Sequence, residues 1–213
     1  MDELTSQQIW SSWQDGLCRE DASLVISSGG NEWIPRIQQD EREMVSFLDA
    51  LKSLIPAEQR KVALEIGLFE GGTHLIWKML FKHVISVEIN PSSCLIVAKT
   101  LKDKTNSTII CASSQLPGTV KTVQKVLAKL GEAIDFLLID GDHSKSAVES
   151  DYLNYEPLVR IGGVIAFHDS REIAPVRDFV ADLEYGRYCH KEEAVKMQHF
   201  LYHHGISYYV KDR

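Results

Sequence analysis

Asp140, Asp142, His143, His168 and Asp169 have the types and the spacing to do chemistry. The first three stand in IDGDHSKSAVESDY, where the apolar run Phe136-Leu137-Leu138-Ile139 passes without a turn into Asp140-Gly141-Asp142-His143. The other two close a second apolar run, Val164 to Phe167, and His168 follows Asp140 by 28 residues. Carboxylates are hard donors for a divalent cation, and imidazole titrates nearer neutrality than any other unperturbed side chain. Together they could bind a metal, take a proton from a hydroxyl, or do both.

A second constellation lies upstream in VALEIGLFEGGTH, which follows one apolar run and opens a helical pattern. Glycine there lets the backbone approach a ligand that a side chain would exclude. A dinucleotide fingerprint would need glycine where Phe69 stands, which disfavours a nicotinamide oxidoreductase. The pattern is instead E-x-G-x-x-x-G-G, with Glu65 at the strand end and Gly67, Gly71 and Gly72 in the turn. A second run ends in Val87-Glu88, 23 residues after Glu65, placing a carboxylate where it can accept both hydroxyls of a ribose. Taken singly, the glycines could only make a tight turn and Glu88 could be a solvated strand-end acid.

The elements that must position these residues follow from the hydrophobic pattern. Strands are predicted at 62–66, 84–88, 108–111, 136–139 and 164–167, alternating with helices near 73–81, 91–101, 117–130, 147–155 and 175–183. Gly162-Gly163 is expected to turn the chain into the fifth strand, and two late strands are expected at 197–202 and 206–210. Alternation of this kind gives an α/β, doubly wound, mostly parallel sheet of seven strands with a late antiparallel strand. Residues 1–58 read as an N-terminal helical extension and 59–213 as the core, the two forming a single catalytic domain. Trp10 and Trp13 mark a first short helix; Ile37, Met44, Leu48, Leu51 and Ile55 mark a second; Ser27-Ser28-Gly29-Gly30 reads as a loop.

The formal charge of −7, with no basic cluster, disfavours nucleic acid or an anionic membrane as partner. No apolar run nears the ~20 residues that a bilayer requires. The start, MDELTSQQIW, lacks the regions of a signal peptide, and Cys18, Cys94, Cys111 and Cys189 form no CxxC pair. A cytoplasmic protein with free thiols is expected. Its oligomeric state is not written in these patterns.

The segments EIGLFEGGT, VEINP, CASSQ, IDGDH and GGVIAFHD resemble, in order and spacing, the motifs of class I S-adenosylmethionine-dependent methyltransferases. The likeness is to metal-dependent O-methyltransferases of the catechol type and to the bacterial antibiotic-sugar methyltransferase and cephalosporin hydroxylase-like group. It covers residues 60–170 well and implies a Rossmann-like fold. It implies that Glu65, Gly67 and Phe69 line the methionine end of S-adenosylmethionine, that Gly71 permits close backbone approach, and that Thr73 bonds the cofactor carboxylate. It places Glu88 on the ribose, Ile89 against adenine and Ser113 at the adenine ring, although Ser113 could equally cap the next helix. It counts Asp140 among the cofactor-binding residues and also assigns a divalent cation, magnesium or manganese, to Asp140, His168 and Asp169, beside the cofactor cleft. Relatives commonly carry an acid where His168 stands; an imidazole suits manganese, iron or zinc better, or could act through water or as a base. At the place of His143 the resembling enzymes carry a general base, while a histidine there could also cap the following helix. Asp142 reads as a supporting acid or helix N-terminal charge.

The implied activity is metal-assisted methyl transfer to a hydroxyl of a small molecule. A hydroxylase-like or other non-methylating reaction on the same scaffold, or a non-catalytic S-adenosylmethionine-binding module, are the alternatives. His74 and His83 read as structural, and His199, His203 and His204 as residues of the last two strands and their turn. Trp10, Trp13 and Trp33 could roof an acceptor or complete a core.

Overall fold

The computed structural model describes residues 3–14, 25–26, 32–33, 37–101, 105–188 and 194–212. The stretch Ser27 to Gly30, Cys18, Cys189 and the side chains of Trp13 and Trp33 lie outside the described residues.

Helix α1 (Ser6–Gln14) precedes a short antiparallel pair, β1 (Val25–Ile26) and β2 (Glu32–Trp33), and then α2 (Glu41–Leu54). Asp40 caps α2 by accepting from the Arg42 and Glu43 amides, as a short acidic side chain does at a helix start. Next come β3 (Val62–Ile66), α3 (Gly72–Leu80), β4 (His83–Glu88), α4 (Pro91–Thr100), β5 (Ser107–Cys111) and α5 (Pro117–Leu130). The chain ends with β6 (Ile134–Ile139), α6 (Lys145–Tyr155), β7 (Val159–Phe167), α7 (Ala174–Glu184), β8 (Gln198–Phe200) and β9 (Ile206–Val210).

The seven long-range strands lie in the order β5-β4-β3-β6-β7-β9-β8. Strands β5 through β7 are parallel, and β9 joins β7 antiparallel with Val164 opposite Val210. Every residue of β3 and β6 is buried, which is why their sequences are nearly continuous apolar runs, interrupted only by Glu65 and Asp135, rather than alternating ones. Alternate residues nevertheless serve opposite layers, as strand geometry requires. Leu64, Leu137 and Ile165 pack with Val123, Tyr152 and Phe179 of α5, α6 and α7. Ala63, Phe136 and Val164 pack with Phe47, Leu48 and Trp77 of α2 and α3. Trp10 completes this second layer instead of roofing a cleft.

The sheet differs from expectation at one pair of residues. Gly162-Gly163 lies within β7, which starts at Val159 rather than turning the chain into the strand. The β6–β7 register shifts between Ile134 and Phe136, and Gly162 takes a φ of 80° in that irregularity. A side chain at Gly163 would lie 2.6 Å from Val159 Cγ1, so only glycine allows the strand to continue past this point.

Candidate active site

Strand order reverses between β3 and β6, and at such a switch point a parallel sheet opens a crevice at its carboxyl end. Four strand tips are tied side by side there by three backbone hydrogen bonds. Gly67 N–H donates to Val87 O, Asp140 N–H to Ile66 O, and His168 N–H to Ile139 O. Gly67 has φ 96°, and a Cβ on it would stand 2.0 Å from the Asp140 carbonyl oxygen. The close approach of these two tips therefore requires glycine.

A cleft of about 400 Å³ occupies the crevice, a size suited to a cofactor-sized ligand. Gly67, Phe69, Thr73, Glu88, Ile89, Ser113, Asp140 and His143 all line it. Glu88 is held at its rim by three backbone donors: Leu68 and Phe69 N–H on Oε2 at 3.1 and 2.9 Å, and Asn90 N–H on Oε1 at 2.7 Å. Phe69 is held at φ 47°, an uncommon conformation for an aromatic residue, partly by that bond to Glu88. Ile89 is 69% exposed and offers a bare apolar surface beside the carboxylate.

Glu65 and Gly71 take other positions. The Glu65 carboxylate is fully buried and accepts from Thr73 Oγ1 at 2.9 Å, Trp77 Nε1 at 3.1 Å and Ser86 Oγ at 2.5 Å. It stands behind the cleft wall and reaches the cleft through Thr73. Gly71 caps α3 in the left-handed region, and a Cβ there would meet Val97 of α4 at 2.8 Å. Its close approach is to that helix.

The two acids and two histidines at the far end of the cleft come together. Single ligand atoms of Asp140, His143 and Asp169 lie within 4.8 Å of one another. His143 Nε2 is 3.0 Å from Asp169 Oδ2 and 3.9 Å from Asp140 Oδ1. His168, only 3% exposed, approaches from beneath, with Nδ1 3.2 Å from both Asp140 Oδ1 and Asp169 Oδ2. Asp169 points into the group because its backbone turns left-handed, φ 58°, a conformation that aspartate tolerates. Asp142 also lines the cleft and accepts from Ser144 N–H at 2.8 Å, at the start of α6.

Burial opposes ionisation of Asp140 and Asp169, but the adjoining histidines outweigh it and hold both carboxyls below their usual range. Burial likewise opposes a charge on His168, and Asp140 and its neighbours outweigh that, raising it well above an ordinary histidine. Hydrogen bonding to Asp140 and Asp169 pushes His143 up to about 10. Two carboxylates at one point thus draw positive charge, whether protons on the histidines or a cation. The donor set fits a divalent ion, because cis ligands of a six-coordinate ion at about 2.1 Å stand about 3 Å apart.

The family model for a methyltransferase domain matches residues 64–170 of this chain. The chain belongs to that family. An uncharacterized protein of Acanthamoeba polyphaga mimivirus is 31% identical over 136 residues, 59% of this chain and 62% of the relative. The MycE methyltransferase of the mycinamycin biosynthetic pathway, solved with Mg, SAH and mycinamycin VI, superposes with a TM-score of 0.62 at 13% identity. That match covers 99% of this chain and 55% of the MycE chain, so this chain spans little more than half of that enzyme. CalS11, a calicheamicin methyltransferase, gives 0.59 at 9% identity over 97% of this chain and 91% of its own. A Bacillus cereus O-methyltransferase in complex with SAH gives 0.51 at 15% identity over 99% and 92%. These likenesses establish the class I methyltransferase fold. No helix among the described residues is long and apolar enough to cross a membrane.

In this family member, two residues absent from the motifs reach the site from α2 and the segment before it. Gln39 Nε2 donates to Asp140 Oδ2 at 3.1 Å, and Gln39 lines the cleft. Glu43 is fully buried, accepts from Gly205 N–H at 2.6 Å, and lies 3.5 Å from His168 Nε2. The signal for Glu43 was in the sequence: a charge four residues before Phe47, on the apolar face of an amphipathic helix. His204 lies 3.6 Å from Asp169 and bonds Glu172. His74 is a fully buried bridge between Ser86 and Ser107.

Asp151 of α6 lies just under the cleft floor, its Oδ2 3.7 Å from where a Cβ on Gly141 would be. Burial pushes its carboxyl from 3.8 up to about 6, with the charge of Asp142 adding to the effect, and Oδ1 has no partner among the described residues. A raised carboxyl means that the folded state binds the proton more tightly than the unfolded chain. Its contribution is fully favourable below the unfolded pKa, declines as pH rises through the folded value near 6, and stays low above it. Asp151→Asn is therefore expected to raise stability by about 1–2 kcal/mol near pH 8 and by little near pH 4. Denaturant midpoints at the two pH values check this, and an equal shift at both would refute it.

Proposed function

We propose that this chain transfers the methyl group of S-adenosylmethionine to a hydroxyl of a small molecule, assisted by a divalent cation at Asp140, His168 and Asp169. One observation carries the reading: a cofactor-sized cleft, with Glu88 at one end, opens at its other end onto the Asp140–His143–Asp169 cluster. Glu88 takes the ribose, Ile89 and Ser113 the adenine, and Gly67, Phe69 and Thr73 the methionine end. Glu65 acts by fixing Thr73. A cation supplies positive charge that lowers the acceptor hydroxyl's pKa and fixes its direction. His143, at the cleft's edge, takes the acceptor's proton. The N-terminal extension and the core work as one catalytic unit, because Gln39 and Glu43 belong to the former.

Structural neighbours support the reading through what they were solved with: Mg, SAH and mycinamycin VI in one case, SAH in another. A thermal-shift panel tests it. A ligand at about 100-fold its Kd stabilises by roughly 2.7 kcal/mol, or about 5–10 °C for a chain of this size. SAH is expected to give such a shift and NAD none; the reverse result sinks the reading. Methyl transfer to a hydroxyl acceptor that survives exhaustive chelation removes the cation from it.

A further inference from the structure

Two buried polar atoms face each other behind the site. Glu43 Oε2 and His168 Nε2 are 3.5 Å apart, and neither has another hydrogen-bond partner among the described residues. Glu43 is completely buried and His168 nearly so. Leaving such atoms unmatched in the interior is unfavourable, so a buried pair of this kind calls for a reason. The opposite side of the same ring supplies one: Nδ1 stands 3.2 Å from an oxygen of Asp140 and 3.2 Å from an oxygen of Asp169.

We propose that Glu43 is a positioning residue that keeps the proton of His168 on Nε2, so that Nδ1 presents its lone pair to a divalent cation held by Asp140 and Asp169, and that this nitrogen makes the site prefer manganese to magnesium. The proposal rests on the cation reading given above. The carboxylate–imidazole arrangement has a general rationale, since a ligating histidine donates its second N–H to an acceptor that fixes tautomer and ring orientation. An imidazole in place of a third oxygen ligand shifts preference from magnesium toward first-row transition ions. The backbone also fixes which end of Glu43 does the work. Gly205 N–H donates to Oε1 at 2.6 Å, leaving Oε2 for the histidine.

That anchoring makes Glu43→Gln a directed test. The amide oxygen of the new side chain must stay on Gly205 N–H, which turns its NH₂ toward Nε2. A donor facing Nε2 makes that nitrogen the acceptor and moves the ring proton to Nδ1. Calorimetric titration of the full chain with Mn(II) and with Mg(II) reads the outcome, with SAH titrated as a check on the rest of the cleft. The wild type is expected to bind Mn(II) at least about tenfold tighter than Mg(II). Glu43→Gln is expected to lose about 10- to 100-fold in Mn(II) affinity, with SAH affinity kept within about twofold. His168→Asp, which restores three oxygen donors, is expected to bring the two metals to within about threefold of each other. Pulsed electron paramagnetic resonance on the Mn(II) complex supplies a second readout. Nitrogen modulation should persist in His143→Ala and vanish in His168→Asp. Mn(II) affinity unchanged in Glu43→Gln, or nitrogen modulation surviving in His168→Asp, overturns the proposal while leaving the cation in place. A wild type that binds neither metal, no better than Asp169→Asn does, overturns the cation reading itself and this proposal with it.

Discussion

Replacing His143 by alanine is expected to lower kcat by about 10²- to 10⁴-fold while the Kd for SAH stays within about twofold. The ring lies at the end of the cleft, partly exposed, with Nε2 3.0 Å from Asp169. Nothing about that position makes it a major holder of cofactor; a proton acceptor acts in the transition state. With both carboxylates free to bond it, His143 is raised to about 10 and carries a proton at neutral pH. It becomes a base only when Asp140 and Asp169 are engaged elsewhere, which ties its role to the charge that they hold. Two acceptors of different acidity separate deprotonation from positioning. A base matters more for an alcohol than for a phenol, so the loss should be larger with the alcohol. Equal and small losses with both would assign His143 to positioning alone.

Glu88→Ala is expected to weaken cofactor binding by roughly 30- to 150-fold, the equivalent of ~2–3 kcal/mol for losing a charge-assisted hydrogen bond. Its carboxylate already accepts from Leu68, Phe69 and Asn90 N–H groups, which aim it before any ligand arrives. A carboxylate has about four lone-pair sites, and with three taken by these donors about one remains, on Oε1, for a ribose hydroxyl. The same bonds tie down the turn that carries Phe69, and the variant should loosen it as well. Glu88→Gln separates the two effects, because it keeps an acceptor for part of the turn while losing the charge. Calorimetry with SAH giving wild-type affinity in the alanine variant would remove Glu88 from the site.

Much of the site was legible because it lies at strand tips. An unbroken apolar run specifies a strand buried on both faces, and the first polar residues after it mark where that strand leaves the core. Asp140 after Ile139 and His168-Asp169 after Phe167 follow this rule, Glu88 follows a run interrupted only by Ser86, and the switch point of the sheet gathers them. The glycine turn was legible for the same reason. Which glycine serves which neighbour was not: Gly67 answers to the Asp140 carbonyl and Gly71 to Val97, both distant in sequence.

The sequence by itself determined the strands and helices, their parallel winding, and the chemical types waiting at the sheet's carboxyl edge. Periodicity is a local property, and burial at period two or 3.6 acts on neighbouring residues. Tertiary structure alone decided the directions of those groups. Glu65, read as a wall of the cleft, turns inward because Thr73, Trp77 and Ser86 supply three donors there. Glu43 joins a histidine 125 residues away only because α2 packs its apolar face on the sheet beside α3. A buried carboxylate is tolerable only against donors or positive charge, and those partners come from elements that no local pattern connects.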